Sequence, residues 1–240
     1  MLIEDGEVTV SASPEKIREL IREGKPCVYL EYPDSEPVYE CRFVWQVTEE
    51  ALFPDKDYLE KVYRRWNHLP LMIAETERLL IRESVIEDLE SFRLFYEEER
   101  ENPDIEPLGT EAEQALAEYI RYQYPFWDFG LWSVEKRDTG EVIGRMGLEV
   151  YEDKVELSYL IGNAFRRKGY ASEAAAAILR YAREKLELRE VILRTSEENL
   201  ISRSLAEKLG FEKVGKAWQK ILDSENTMES DRKKLILSGK

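Results

Sequence analysis

The sequence predicts an α/β (α+β) fold: a mixed, mostly antiparallel sheet flanked by helices, preceded by a small N-terminal α+β appendage. Three observations carry this prediction. From Ala74 onward, strand-type and helix-type patterns alternate along the chain. Between Leu131 and Ile161, three strand-type runs follow one another across short turns, which makes those neighbours antiparallel. The helical pattern from Gly169 to about Lys185 carries Ala174-Ala175-Ala176-Ala177, small enough for its axis to lie close on a sheet.

The first segment, residues 1–73, reads as a separate unit to which the sequence assigns no chemistry. Ser13-Pro14 is a helix start, Ile17, Leu20 and Ile21 form an apolar stripe, and Gly24 is a stop. Two strands are expected over Cys27–Tyr32 and Val38–Val47, separated by a Pro-Asp-Ser-Glu-Pro turn, with Tyr39, Cys41, Phe43, Trp45 and Val47 in phase on a buried face. A second helix carries Leu59, Val62, Tyr63 and Trp66 and ends near Asn67 to Pro70.

The main domain, residues 74–240, opens with a strand over Thr76–Arg82 and a helix over Ile86–Glu98. Thr110-Glu111-Ala112-Glu113 reads as a capping box opening a helix toward Tyr124. Strands follow over Leu131–Lys136, Val142–Tyr151 and Val155–Ile161, then the long helix, a strand over Val191–Arg194 and a helix over Leu200–Leu209. Two terminal strands, about Lys213–Leu222 and Lys233–Leu237, complete the pattern.

Composition narrows the function. With 50 Asp and Glu against 35 Lys and Arg, the formal charge is -15, which argues against nucleic acid or an anionic membrane surface as a partner. The N-terminus lacks a basic region leading into an apolar run, and no stretch approaches a membrane span, so a cytoplasmic protein is expected. Cys27 and Cys41 read as core thiols rather than a disulfide. The single histidine, His68, has no Cys or His at ligand spacing, so no metal site is expected.

Against this acidic background, Arg166-Arg167-Lys168-Gly169-Tyr170-Ala171 stands out as a basic turn between a strand and a helix start. Basic triplets are ordinarily solvated clusters. Here the following helix offers unpaired N–H groups and a positive dipole end, which suit a pyrophosphate. The turn lacks the Gly-Lys-Ser/Thr ending of an ATP-binding P-loop. A second block runs from Asn199 and Ser202 to Lys208-Leu209-Gly210-Phe211. Asn199 is also an ordinary helix cap.

Both blocks resemble those of the GNAT superfamily of acyl-CoA-dependent N-acetyltransferases, in particular the branch of ribosomal-protein N-terminal acetyltransferases. Arg166, Gly169 and Ala171 match the family's phosphate turn, and Asn199, Ser202, Lys208, Gly210 and Phe211 match its second block. The resemblance covers about Ala74 to the C-terminus. It implies a GNAT-like domain in which the strand ending Tyr159-Leu160-Ile161 splays from its neighbour and acetyl-CoA occupies the gap. Backbone amides from Arg166 through Arg167, Lys168, Gly169, Tyr170, Ala171 and Ser172 are then the pyrophosphate donors, Asn199 and Ser202 border the pantetheine arm, and an N–H near Leu160 is the oxyanion donor. The family's frequent acid position, four residues after Ser202, is Ala206 here, so either the CoA thiolate, a good leaving group, departs without a side-chain acid or another donor such as Ser202, Tyr159 or Tyr170 serves. With no cysteine in either block, transfer is expected to be direct within a ternary complex.

Amine acylation needs a proton acceptor. If Glu152-Asp153 forms a two-residue loop, Glu149 falls opposite Glu156, and the two carboxylates are candidates for that role or for holding a cation. The acidic segment Glu97–Glu106 borders the acceptor cleft in this fold and favours a cationic amine or a peptide N-terminus. Tyr122, Tyr124, Phe126, Trp127, Phe129 and Trp132 divide between core and cleft lining. A homodimer is an allowed assembly. The competing reading is an acyl-CoA sensor or interaction module that has lost turnover.

Overall fold

The computed structural model describes residues 2–3, 6–102, 105–215 and 217–222. The chain divides into two compact units, Met1–Leu71 and Met72–Lys240.

In the first unit, a short antiparallel pair, β1 (Leu2–Ile3) and β2 (Gly6–Glu7), precedes a parallel three-stranded sheet of β3 (Thr9–Ser11), β4 (Cys27–Glu31) and β5 (Val44–Gln46). Helix α1 (Pro14–Arg22) starts where Ser13 accepts from the Lys16 N–H, and the chain leaves it through Gly24 at φ 68°. Helix α2 (Lys56–Trp66) is capped by Asp55 and buries Leu59 and Val62. The expected strand Val38–Val47 is reduced to Val44–Gln46. A turn closed by Cys41 N–H on the Val38 carbonyl coils the preceding residues, which buries Val38, Cys41 and Phe43 and leaves Tyr39 91% exposed. Apolar residues three and two apart suit that turn, and the apparent alternation misplaced Tyr39. Cys27 and Cys41 are both buried and free.

In the second unit, an eight-stranded sheet runs in the order β12-β13-β11-β10-β9-β8-β7-β6. Its members are β6 (Met72–Glu75), β7 (Leu79–Arg82), β8 (Leu131–Lys136), β9 (Val142–Tyr151), β10 (Lys154–Ile161), β11 (Glu190–Arg194), β12 (Glu212–Val214) and β13 (Ala217–Ile221). All neighbours are antiparallel except β10 and β11. The expected strand Thr76–Arg82 is shorter, because Thr76 turns the chain back by accepting from Leu79 N–H, and β6 precedes it as a separate strand. The expected strand Lys213–Leu222 is two strands around a turn at Gly215. The expected strand Lys233–Leu237 lies outside the described residues.

Helix α3 (Leu89–Glu98) packs on β9, and its Phe92 and Phe95 join Leu116 of α4 (Ala112–Glu118) and Leu160 of β10 in one apolar cluster. The capping box at Thr110 does not form: the N-cap is Glu111, without a side-chain bond. From α4 the chain passes through a π turn, Tyr119–Gln123, into α5 (Tyr124–Trp127). Helix α6 (Tyr170–Glu184) buries Ala174, Ala175, Ala177, Ile178 and Leu179 in the main core, so small side chains bring its axis close to the sheet. Helix α7 (Leu200–Lys208) follows β11.

Candidate active site

The only registered pair between β10 and β11 is Glu156 with Ile192. Strand β10 continues to Ile161 still fully paired with β9, so beyond Glu156 its other edge is separated from β11. The phase of the ladder decides which backbone groups this exposes. Gly162 N–H donates to the Ile143 carbonyl, so by antiparallel alternation Leu160 and Ser158 point their groups into β9, while Tyr159 and Ile161 point theirs toward the gap. The Ile161 carbonyl indeed accepts from Arg166 Nε at 2.8 Å. Leu160 N–H itself is therefore committed to the ladder, and the donors near Leu160 that face the gap are those of its two neighbours.

A cleft of about 1860 Å³ opens at this separation, lined among others by Glu149, Glu156, Tyr159, Leu160, Ile161, Arg166, Arg167, Gly169, Tyr170, Ala171, Ser172, Asn199 and Ser202. Lys168 is not on its wall. At the cleft's mouth, the turn before α6 places Arg167 at φ 59° and Gly169 at φ 84°, and no side chain caps the helix. Successive backbone N–H groups in such a turn form an anion-binding nest, reinforced by the helix dipole. Gly169 suits the left-handed position, and a Cβ there would sit 3.3 Å from an Arg78 nitrogen.

Side chains of the basic turn hold its shape. Arg166 pairs with Glu99 at 2.5 Å besides its bond to Ile161, and Glu173 accepts from Thr76 Oγ1 at 2.6 Å and from Arg78 at backbone and guanidinium. Arg78 also donates to the Lys168 carbonyl and lies over the Tyr170 ring at 4.5 Å. The turn is thus tied to the β6–β7 reversal by contacts that no local pattern reveals.

On the opposite wall, the Glu152-Asp153 loop sets Lys154 against Tyr151 and Glu156 against Glu149. The two carboxylates differ in surroundings. Glu156 is buried and spends both oxygens on Arg194, accepting from its N–H at 3.1 Å and its Nε at 2.9 Å. Arg194 in turn lies over the Tyr151 ring at 3.3 Å. Glu149 has no such clamp. Burial pushes its carboxyl above the usual range and the Glu156 charge adds to this, against the Ser158 hydroxyl and Arg145, which pull it down.

Across the gap, Tyr159 Oη and Ser202 Oγ lie 2.8 Å apart. Burial pushes the Tyr159 phenol up, so it keeps its proton at neutral pH. Asn199 caps α7, its Oδ1 accepting from the Ser202 backbone N–H at 3.1 Å. Ala206 is fully buried. The aromatic residues singled out in the sequence do not line the cleft: Tyr124, Phe129 and Trp132 are core, and Tyr122 and Phe126 are exposed. Tyr96, Tyr119, Tyr151 and Phe165 line it instead, together with Glu99, Asn102, Ile105 and Glu106 of the acidic segment. Among the described residues no group of three His, Cys, Asp or Glu side chains is placed to hold a metal ion, and no helix is long and apolar enough to cross a membrane.

Splayed parallel strands with an uncapped helix start at their mouth are the arrangement that the family resemblance implies, and comparison with known proteins identifies the family. Residues 78–212 match the family described as "Acetyltransferase (GNAT) domain". The N-acetyltransferase YoaA of Bacillus subtilis, described as uncharacterized, is 30% identical over 150 residues, covering 60% of this chain and 84% of that protein. Among solved structures, the ribosomal L7/L12 α-N-protein acetyltransferase RimL aligns with a TM-score of 0.55 at 13% identity, over 65% of this chain and 96% of RimL. The acetyltransferase yncA of Salmonella typhimurium, solved with acetyl-CoA, aligns with a TM-score of 0.51 at 18% identity, over 63% and 98%. Identities that low carry the fold alone. The chain belongs to the GNAT acetyltransferase family, and is an N-acetyltransferase of that type using acetyl-CoA.

Proposed function

We propose that the protein transfers the acetyl group of acetyl-CoA directly to a primary amine that is cationic in solution, a small molecule or a peptide N-terminus, with Glu149 as the proton acceptor. The observation that carries this reading is the β10–β11 separation, where the backbone N–H groups of Tyr159 and Ile161 face the gap beside an uncapped helix start. The residues divide the work by their surroundings. N–H groups of the Arg166–Ser172 turn hold the pyrophosphate, and the edge of β10 offers Tyr159 and Ile161 to the pantetheine and the developing oxyanion. Glu149, unclamped and with its carboxyl shifted upward, takes the amine proton. Glu156 positions Arg194 and Tyr151 on the cleft wall. The Tyr159–Ser202 pair returns a proton to the departing thiolate, the work that Ala206 cannot do.

This reading places the protein in the cytoplasm, where acetyl-CoA is available, and leaves residues 1–73 as an appendage to domain 74–240.

Calorimetric titration with acetyl-CoA tests it, with an Arg167→Glu, Lys168→Glu variant as control and Arg166 kept because it closes the turn. Reversing two charges beside the pyrophosphate should weaken binding at least about tenfold, at about 1 kcal/mol or more per charge. A folded wild type that does not bind acetyl-CoA overturns the reading. Tight binding without transfer to any amine selects the sensor.

A further inference from the structure

Arg145 lies in the middle of β9 and lines the cleft. Its guanidinium packs over the rings of Phe92 at 5.2 Å and Tyr119 at 4.9 Å. Its Nε is buried without a hydrogen-bond partner; Tyr96 interacts with the guanidinium and Glu149 feels its charge, but among the described residues no carboxylate is in ion-pair contact with it. Two other arginines of the cleft, Arg166 and Arg194, are each paired with a glutamate. A partly buried cation with no carboxylate in contact is unfavourable, and two aromatic faces offset only about 0.5–2 kcal/mol each. Such a group is complete when a ligand supplies the counter-charge.

Its position says which ligand. In the β9–β10 ladder Arg145 stands opposite Leu160, while Glu149, four residues on and therefore on the same face, stands opposite Glu156. The two Cα atoms are about 13 Å apart at strand rise. Both side chains reach inward over the segment where Tyr159 and Ile161 meet the gap. An acceptor amine beside Glu149 thus leaves the acceptor's other end at Arg145. A bare anion is disfavoured by Glu99, Glu106 and Glu149 on the same wall. A zwitterion satisfies both charges.

Resting on the transferase reading above, we infer that Arg145 binds a carboxylate of the acceptor, so that the preferred substrates are amines that also carry a carboxylate. This narrows the cationic class expected from the acidic loop: net charge is not the criterion, and the two charges are read separately.

The test uses the full chain, acetyl-CoA and matched acceptors: glycine with glycinamide, β-alanine with its amide, glycylglycine with its amide, and lysine with cadaverine. Rates of CoA thiol release are compared at equal concentrations of free amine, since the acid and amide amines differ in basicity. The acid of a pair should be preferred about 10- to 100-fold in kcat/KM, the range of a charge-assisted hydrogen bond. Arg145→Met should bring that ratio close to one while leaving acetyl-CoA affinity unchanged. If the variant does not fold, the wild-type ratios decide alone. Amides and simple amines acetylated as fast as their acids overturn this inference and leave the transferase intact. Transfer to no amine at all overturns both.

Discussion

Glu149→Gln separates a catalytic carboxylate from a structural one. The side chain keeps its volume and loses the ability to accept a proton. A positioned general base contributes about 10²–10⁴ in rate, so kcat/KM for the amine should fall by that factor, about 2.7–5.5 kcal/mol at 1.36 per tenfold. The assay is thiol release against pH with acetyl-CoA saturating. In the wild type the acid limb should lie above the ordinary carboxylate range, because burial raises this carboxyl, and the limb should disappear in the variant. Stability supplies the control. A carboxyl whose folded pKa is raised favours the folded state most when protonated, and this contribution is lost as pH rises through the folded value. At neutral pH the ionised Glu149 is thus a burden on the fold, and the variant should melt at the same temperature or higher. A variant within threefold of wild type that keeps the same acid limb refutes Glu149 as the proton acceptor, and one that is inactive and melts lower shows a structural role.

Glu156→Gln should behave in the opposite way, losing about 1–3 kcal/mol through its bonds to Arg194, read as a melting temperature lower by about 2–4 °C per kcal/mol, while the acid limb persists and moves toward the ordinary carboxylate range because the Glu156 charge no longer raises Glu149. Tyr159→Phe removes the partner of Ser202 and should lower kcat about tenfold by weakening general-acid assistance, with amine KM unaltered in steady-state kinetics. Gly169→Ala puts a Cβ on a residue at φ 84°, which costs about 1–2 kcal/mol. Because the strain falls in the turn proposed to hold the pyrophosphate, calorimetry should show weaker acetyl-CoA binding even where the protein remains folded.

What the sequence made legible is local. The three strands from Leu131 to Ile161 alternate cleanly between short turns, and a two-residue loop leaves only one register, so the opposition of Glu149 and Glu156 could be written down before any coordinates. The same logic failed at Val38–Val47, where a four-residue turn imitates alternation, and at Thr110, where a suitable capping sequence lies one residue outside the helix. Which carboxylate Arg194 holds was not legible. Arg194 reaches Glu156 from 38 positions away, and Glu173 reaches Arg78 from 95. Arg145 carried a signal that went unread: an arginine among Ile143, Met146 and Leu148, in phase with Glu149 on one face of a strand whose other neighbours are apolar.

The contrast between the two glutamates follows from the strand separation itself. Where β10 and β11 still pair, at Glu156 and Ile192, the adjacent end of β11 brings Arg194 within reach, and the carboxylate is neutralised by a neighbour the sheet provides. Glu149 lies one strand farther from β11, on β9, beyond that clamp but inside the same cleft. One geometric feature, the divergence of two parallel strands, thus opens the cleft beside the Tyr159 and Ile161 backbone and leaves one glutamate of the facing pair held by Arg194 and the other outside that contact. A substitution that lengthened β10–β11 pairing past Glu156 would be expected to alter both together, which is why loss of cofactor binding and loss of the acid limb should travel together in variants of β11 and separate in variants of β9.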